Sequence, residues 1–186
     1  MAEARPVAVL VGSLRKASYN RMAANALIAL APPALKLGIV EIGDLPPYNA
    51  DDDEEGRRPA PWIRFRDEVR AAGGLLFVTP EYNRSVPGVL KNAIDVGSRP
   101  YGHSVFAGKP GAVMSVSPGA PGGFGANHHL RQSLVFLDVP VMQQPEAYVG
   151  GAVSRFNEAG ELADEGTRKF FQSFIDAFAT WVARFA

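Results

Sequence analysis

The run Gly12-Ser13-Leu14-Arg15-Lys16-Ala17-Ser18-Tyr19-Asn20-Arg21 concentrates side chains that can hold an anion. Ser13, Ser18 and Asn20 carry hydrogen-bond donors, and Arg15 carries a planar cation matched to phosphate oxygens. The run follows the apolar stretch Val7-Ala8-Val9-Leu10-Val11 and leads into a helical pattern beginning near Asn20. A buried strand therefore turns through a short polar loop into a helix N-terminus. Unpaired backbone N–H groups and the helix dipole both favour negative charge at such a place. Two readings share these residues: a phosphate cradle, and an ordinary strand-to-helix turn with an N-cap serine.

Spacing narrows the ligand. A dinucleotide fingerprint needs G-x-G-x-x-G, and Gly12 stands alone. A Walker A loop needs a second glycine followed by Lys and Ser or Thr, which is absent. A phosphate held here thus fits a monophosphate, as on a flavin mononucleotide, better than a pyrophosphate or a nucleoside triphosphate.

Two later loops have unusual composition. In Thr79-Pro80-Glu81-Tyr82-Asn83-Arg84-Ser85-Val86-Pro87-Gly88, two prolines stiffen the backbone and Tyr82 offers a flat apolar surface with a polar tip. Rigid N–H groups here can meet the edge of a planar heterocycle; the alternative is a stiff turn into a helix starting near Pro87. The stretch Ser115–Ala126 has four glycines in the seven positions from 119 to 125, which lets backbone approach a ligand closely. It suits a flavin ring with a nicotinamide stacked on it, or a flexible connection.

The elements that position these loops follow from hydrophobic patterning. Strands are predicted at Val7–Val11, Leu35–Ile42, Leu75–Thr79, Gly111–Val116 and Val139–Met142. Helices are predicted at Asn20–Leu30, Trp62–Ala72, Val89–Val96, Asn127–Leu137 and Thr167–Phe185. Strict alternation indicates an α/β fold with a parallel sheet covered on both faces. Five strands and five helices match the flavodoxin-like doubly wound order 2-1-3-4-5, a three-layer sandwich. Ligands in such sheets sit beyond the carboxyl ends of the strands, and for this order the loops after strands one, three and four converge there. The last helix repeats Phe171, Phe174, Ile175, Phe178, Trp181, Val182 and Phe185 at spacings of three and four, a stripe for packing on the sheet.

Composition excludes several classes. With 186 residues the chain suits one domain over 1–186. Nineteen Asp and Glu balance nineteen Lys and Arg, which argues against nucleic acid as a partner. The same balance weakens a strongly acidic electron carrier. There is no cysteine, so disulfides and thiol chemistry are excluded. The first residues lack an apolar signal segment, and no apolar run approaches bilayer length, so a cytoplasmic protein without a membrane partner is expected. His128 and His129 are adjacent and point apart on a helix, a poor chelate, so no metal is expected. Asp95 and Asp138 are read as capping, pairing or solvated groups, and Asp51–Glu55 as a solvated loop.

In order along the chain, G-S-L-R-K-x-S-x-N, T-P-E-Y-N-x-S-x-P-G-x-L-K-N-A-I-D and a Gly-rich third loop resemble the NADPH-dependent FMN reductase family. The resemblance covers nearly the whole chain and is nearest to the chromate, quinone and azo-dye reductase branch; His128-His129-Leu130-Arg131-Gln132 and Gln144-Pro145-Glu146 share in it. It implies that Ser13, Arg15, Ser18 and Asn20 hold the FMN phosphate. It implies that Pro80, Glu81, Tyr82, Asn83 and Arg84 border the isoalloxazine, largely through backbone groups, with Ser117 near the other side. It implies NADPH or NADH as donor, a small-molecule electron acceptor and a homodimer or homotetramer. A tyrosine often replaces Arg84 in that branch, and Arg84, Arg131 and Glu146 are candidates for an interface network. No catalytic side chain is required, because the flavin carries the chemistry. A non-enzymatic FMN electron carrier or flavin-binding sensor shares the fold and the cofactor. A flavin-free hydrolase would need a nucleophile or a carboxylate pair, for which Glu81 alone is thin support.

Overall fold

Residues 3–185 are described by the computed structural model. Strands β1 (Arg5–Val11), β2 (Leu35–Ile39), β3 (Gly74–Thr79), β4 (Gly111–Val116) and β5 (Ala147–Val149) form one sheet in the order β2-β1-β3-β4-β5. Every pairing is parallel; Val9, for example, lies opposite Ile39 on one side and Leu76 on the other. Helices α1 (Tyr19–Leu30), α2 (Ala60–Ala71), α3 (Gly88–Ser98), α4 (Phe124–Phe136) and α5 (Glu165–Ala183) connect or follow the strands.

Alternation along each strand divides the core in two. Val7, Val9 and Val11 point to the face covered by α1 and α5, among Leu27, Phe171, Phe174 and Phe178. Ala8 and Leu10 point to the opposite face, among Trp62, Phe65, Leu90 and Leu134. Strands β3 and β4 are buried at every position, which explains why their sequences are apolar apart from Thr79 and Ser115. Most of the stripe on α5 packs as expected: Phe171, Phe174, Ile175, Phe178 and Val182 are buried, while Trp181 is half-buried and Phe185, beyond the end of the helix, is exposed. Asp164 starts that helix by accepting from the Thr167 N–H at 2.8 Å.

The fifth strand lies elsewhere than the sequence predicts. Val139–Met142 makes only one bridge, Val141 opposite Gly111, and the strand proper is Ala147–Val149 opposite Met114–Val116. Pro140 lacks the N–H that a ladder needs, and its carbonyl instead accepts from Gly111. The apolar character of the earlier segment comes from Val139 and Met142, buried as a packed crossing chain. Strand β2 stops at Ile39 because Val40 and Ile42 turn into the core on the α2 side. Helix α4 begins at Phe124, three residues before the predicted Asn127, because its first turn has no apolar repeat.

Candidate functional site

The carboxyl ends of β1, β3 and β4 carry the three loops singled out above to one edge of the sheet. The first and second of these loops are pressed together. The Gly12 N–H donates to the Val78 carbonyl at 2.9 Å, and a Cβ on Gly12 would lie 3.1 Å from both Leu90 Cδ2 and Thr79 Oγ1. Any larger residue would have to push Leu90 or Thr79 aside.

Ser13, Ser18 and Asn20 are buried along the first loop, while Arg15 is exposed on it. Ser18 is the N-cap of α1, its Oγ accepting from the Arg21 N–H at 3.4 Å. The ordinary-turn reading therefore holds for that oxygen, whose own proton stays free to donate. Among the described residues, the backbone N–H groups of Ser13 to Ser18 make no hydrogen bond. Asn20 Nδ2 donates to the Val116 carbonyl at 3.1 Å, tying α1 to the end of β4. That bond fixes the amide's orientation and leaves Asn20 Oδ1 buried without a donor. An unsatisfied buried acceptor costs about 1–3 kcal/mol.

The second loop turns tightly. Tyr82 and Ser85 exchange backbone hydrogen bonds of 3.1 and 2.9 Å around Asn83 and Arg84, whose φ values are 52° and 63°. Two successive left-handed residues make a type I′ turn, in which asparagine is at home and arginine is strained. The Arg84 side chain is 83% exposed and reaches Glu81 Oε1 at 3.6 Å. The Glu81 carboxylate is committed to α4: its Oε2 accepts from the Ala126 N–H at 3.0 Å, at the positive end of that helix. Its backbone alone remains for the cleft. The Pro80 carbonyl already accepts from Thr79 Oγ1 at 2.8 Å, and Tyr82 is half-exposed at the turn.

In the third loop, Ser117 Oγ accepts from the Gly119 N–H at 3.2 Å and shapes the turn. Gly122 has φ 63°, and a Cβ there would fall 2.6 Å from the Tyr148 carbonyl carbon. The loop is thereby seated on the end of β5.

Three arrangements escape sequence reasoning. Asn127 is fully buried, bonding Ser115 Oγ and the Ala147 carbonyl through Nδ2 at 3.3 Å each. Arg131 donates to Asn127 Oδ1 at 2.9 Å and to the Met142 carbonyl at 3.0 Å, so within the chain it clamps α4 to the segment before β5. Asp53 is also internal: its side chain is 4% exposed and takes both guanidinium arms of buried Arg66 at 2.8 Å. Only part of the acidic run is therefore a solvated loop. The two histidines diverge, His129 Nδ1 lying 2.9 Å from Ser85 Oγ and His128 Nε2 lying 2.9 Å from the Tyr148 hydroxyl. Among the described residues, no cluster could hold a metal ion and no helix is long and apolar enough to cross a membrane.

The family model described as NADPH-dependent FMN reductase matches residues 6–154. The chain belongs to this family. It is 66% identical over 182 residues to a quinone reductase of Pseudomonas putida, covering 98% of this chain and 97% of that protein. It is 48% identical over 176 residues to a 2-hydroxy-1,4-benzoquinone reductase of Burkholderia sp, covering 95% of each. Among solved structures, the flavoenzyme NAD(P)H:(acceptor) oxidoreductase FerB of Paracoccus denitrificans superposes with a TM-score of 0.90 at 41% identity, covering 97% of this chain and 98% of that one.

An NADPH-dependent FMN reductase is an oxidoreductase that uses FMN with a nicotinamide donor, and the first loop fits that cofactor. The uncommitted N–H groups and the Ser18 hydroxyl suit phosphate oxygens. Asn20 Oδ1 is a buried acceptor without a donor, and a ligand hydroxyl would fit it.

Proposed function

We propose that this reductase moves electrons from NAD(P)H through FMN to quinones, with chromate, azo compounds and free flavin as further acceptors. The observation that carries the reading is the buried, donorless Asn20 Oδ1 beside a row of uncommitted N–H groups. High identity to a quinone reductase across the whole chain supports the acceptor class. Bound FMN supplies two-electron chemistry, taking a hydride from the donor and returning the pair to the acceptor. Ser13, Arg15, Ser18 and Asn20 bind and orient its phosphate and ribityl chain. Pro80, Glu81, Tyr82, Asn83 and Arg84 border one edge of the ring, and Ser117 lies toward the other side. In this reading the donor would leave before the acceptor enters, the two using one site in turn. Residues 1–186 act as one FMN-binding domain, and a cytoplasmic location suits its need for reduced nicotinamide.

Anaerobic addition of NADPH to the FMN-loaded protein tests this. Full bleaching of the visible flavin band, reversed by a quinone, is expected. Bleaching by dithionite but by neither NADPH nor NADH would make the protein a carrier or sensor instead. We further propose a homodimer or homotetramer, supported by Val135 and Phe136, which α4 holds largely exposed. Sedimentation velocity should give a mass two or four times that of the chain, and Phe136→Glu should lower it.

A further inference from the structure

Three aromatic side chains stand together at the carboxyl edge of the sheet, none of them among the residues assigned above to the cofactor. Phe124 opens α4, His128 lies one turn later, and Tyr148 comes from β5. Ring centroids are 4.2 Å apart for Phe124 and His128, 5.2 Å for Phe124 and Tyr148, and 5.9 Å for His128 and Tyr148. The cluster is pinned from both sides. Gly122, two residues before Phe124, rests on the Tyr148 backbone, and Ala126, two residues after it, is held by Glu81 of the second loop. Core packing does not explain Phe124, which is 51% exposed at the end of the Gly-rich loop. Nor is the polar pair idle: His128 Nε2 and the Tyr148 hydroxyl lie 2.9 Å apart, one donating to the other according to the imidazole tautomer.

We propose that Phe124, His128 and Tyr148 form the acceptor platform of this enzyme: the flat quinone ring rests on Phe124, and the hydrogen-bonded His128–Tyr148 pair hands it a proton. The inference rests on the quinone-reductase reading above. Conversion of a quinone to a hydroquinone takes two electrons and two protons. Hydride transfer, with NAD(P)H as the ultimate reductant, brings both electrons and one hydrogen. One quinone oxygen is then left as an oxyanion that needs the second proton. His128 gives that proton, and Tyr148 orients the imidazole and stabilises it. His128 is exposed, so bulk water restores the proton after each turnover. The other charged groups around the pair are Glu146, just before β5, and Arg131, one turn further along α4. Burial and the Glu146 carboxylate push the Tyr148 phenol above its ordinary value, which keeps it protonated as a donor. An aromatic face also suits a flat ring physically, since offset or edge-to-face ring pairs attract beyond simple burial.

The experiment uses the FMN-loaded protein with two acceptors. 1,4-Naphthoquinone needs a proton to form product, whereas ferricyanide takes single electrons and none. In His128→Gln the ratio of naphthoquinone to ferricyanide turnover should fall tenfold or more, since positioned proton transfer contributes about 10²–10⁴-fold. Imidazole added to His128→Gly should restore part of it. Separately, naphthoquinone is titrated into the oxidised protein without donor, and quenching of intrinsic fluorescence gives its Kd. Phe124→Ala should raise that Kd about three- to tenfold, as the loss of a ring contact implies. An unchanged turnover ratio in His128→Gln overturns the proton role. An unchanged Kd in Phe124→Ala overturns the platform, and a shift in sedimentation alone would make Phe124 a subunit contact. Failure of NADPH to bleach the wild-type flavin would instead overturn the functional reading beneath both.

Discussion

Arg15 and Asn20 stand a few residues apart, and the proposed cradle assigns them to different parts of one ligand. Arg15 is exposed, so its contribution to an anion is electrostatic and separable from the fold. Arg15→Ala should therefore weaken FMN by about 1.5–3 kcal/mol, roughly ten- to a hundredfold in Kd, the usual worth of a hydrogen bond to a charged group. Riboflavin, which lacks the phosphate, should bind the variant and the parent alike. Flavin fluorescence titration measures both, and equal FMN affinity would remove Arg15 from the cradle. Asn20 cannot be tested so cleanly. Its Nδ2 ties α1 to Val116, so truncation disturbs the edge of the sheet as well as the ligand.

At the scale of elements, α4 links the second loop to the third. Glu81 sits against its N-terminus and accepts from Ala126, so the side chain of a residue whose backbone the sequence reading set beside the ring acts structurally. Glu81→Gln keeps the shape and removes the charge facing the helix dipole, at a cost of about 0.5–2 kcal/mol. Urea unfolding of the two proteins measures that difference, and equal midpoints would show that the charge contributes nothing. Layers, strand order and all three loops were legible because long apolar runs and proline–glycine punctuation dominate those parts of the sequence. The fifth strand was not. Ala147-Tyr148-Val149 is three residues long and less apolar than Val139–Met142, and only pairing with β4 distinguishes it. Asp53 was hidden for another reason. It looks like its acidic neighbours, and its partner Arg66 lies thirteen positions away on α2, where nothing local marks it as buried. Roles at the residue level were legible only as donor types, since the direction of the Glu81 and Arg131 side chains depends on α4 and the chain crossing at Met142.

For the whole molecule, that Asp53–Arg66 pair works as a fastener. Arg66 also donates to the Val96 carbonyl of α3 at 2.9 Å, and Tyr48 meets Asp53 Oδ2 at 3.3 Å, so one carboxylate joins the loop after β2 to α2 and α3. Hydrogen bonds from Arg66, and secondarily Arg58, hold the Asp53 pKa below its ordinary value. A carboxylate depressed in the folded state stabilises above its unfolded pKa, near 3.9, and that stability is lost as pH falls through the folded value. Stability should thus drop below about pH 4. Asp53→Asn should cost about 3–5 kcal/mol at pH 7, because buried Arg66 loses its counter-charge, and should flatten the acid dependence. Urea unfolding at neutral and acid pH measures both, and parallel pH curves for the two proteins would refute the assignment. The strand order carries a different consequence, for synthesis. β1 leaves the ribosome first yet lies between β2 and β3. Its second edge stays unpaired until residue 79 has been made, roughly 3–14 s at about 5–20 residues per second. Throughout that interval the nascent chain displays Val7-Ala8-Val9-Leu10-Val11, an uncharged segment of high β-propensity, as an open edge. Shielding by chaperones, or slow expression at low temperature, therefore matters most for the first eighty or so residues of this polypeptide.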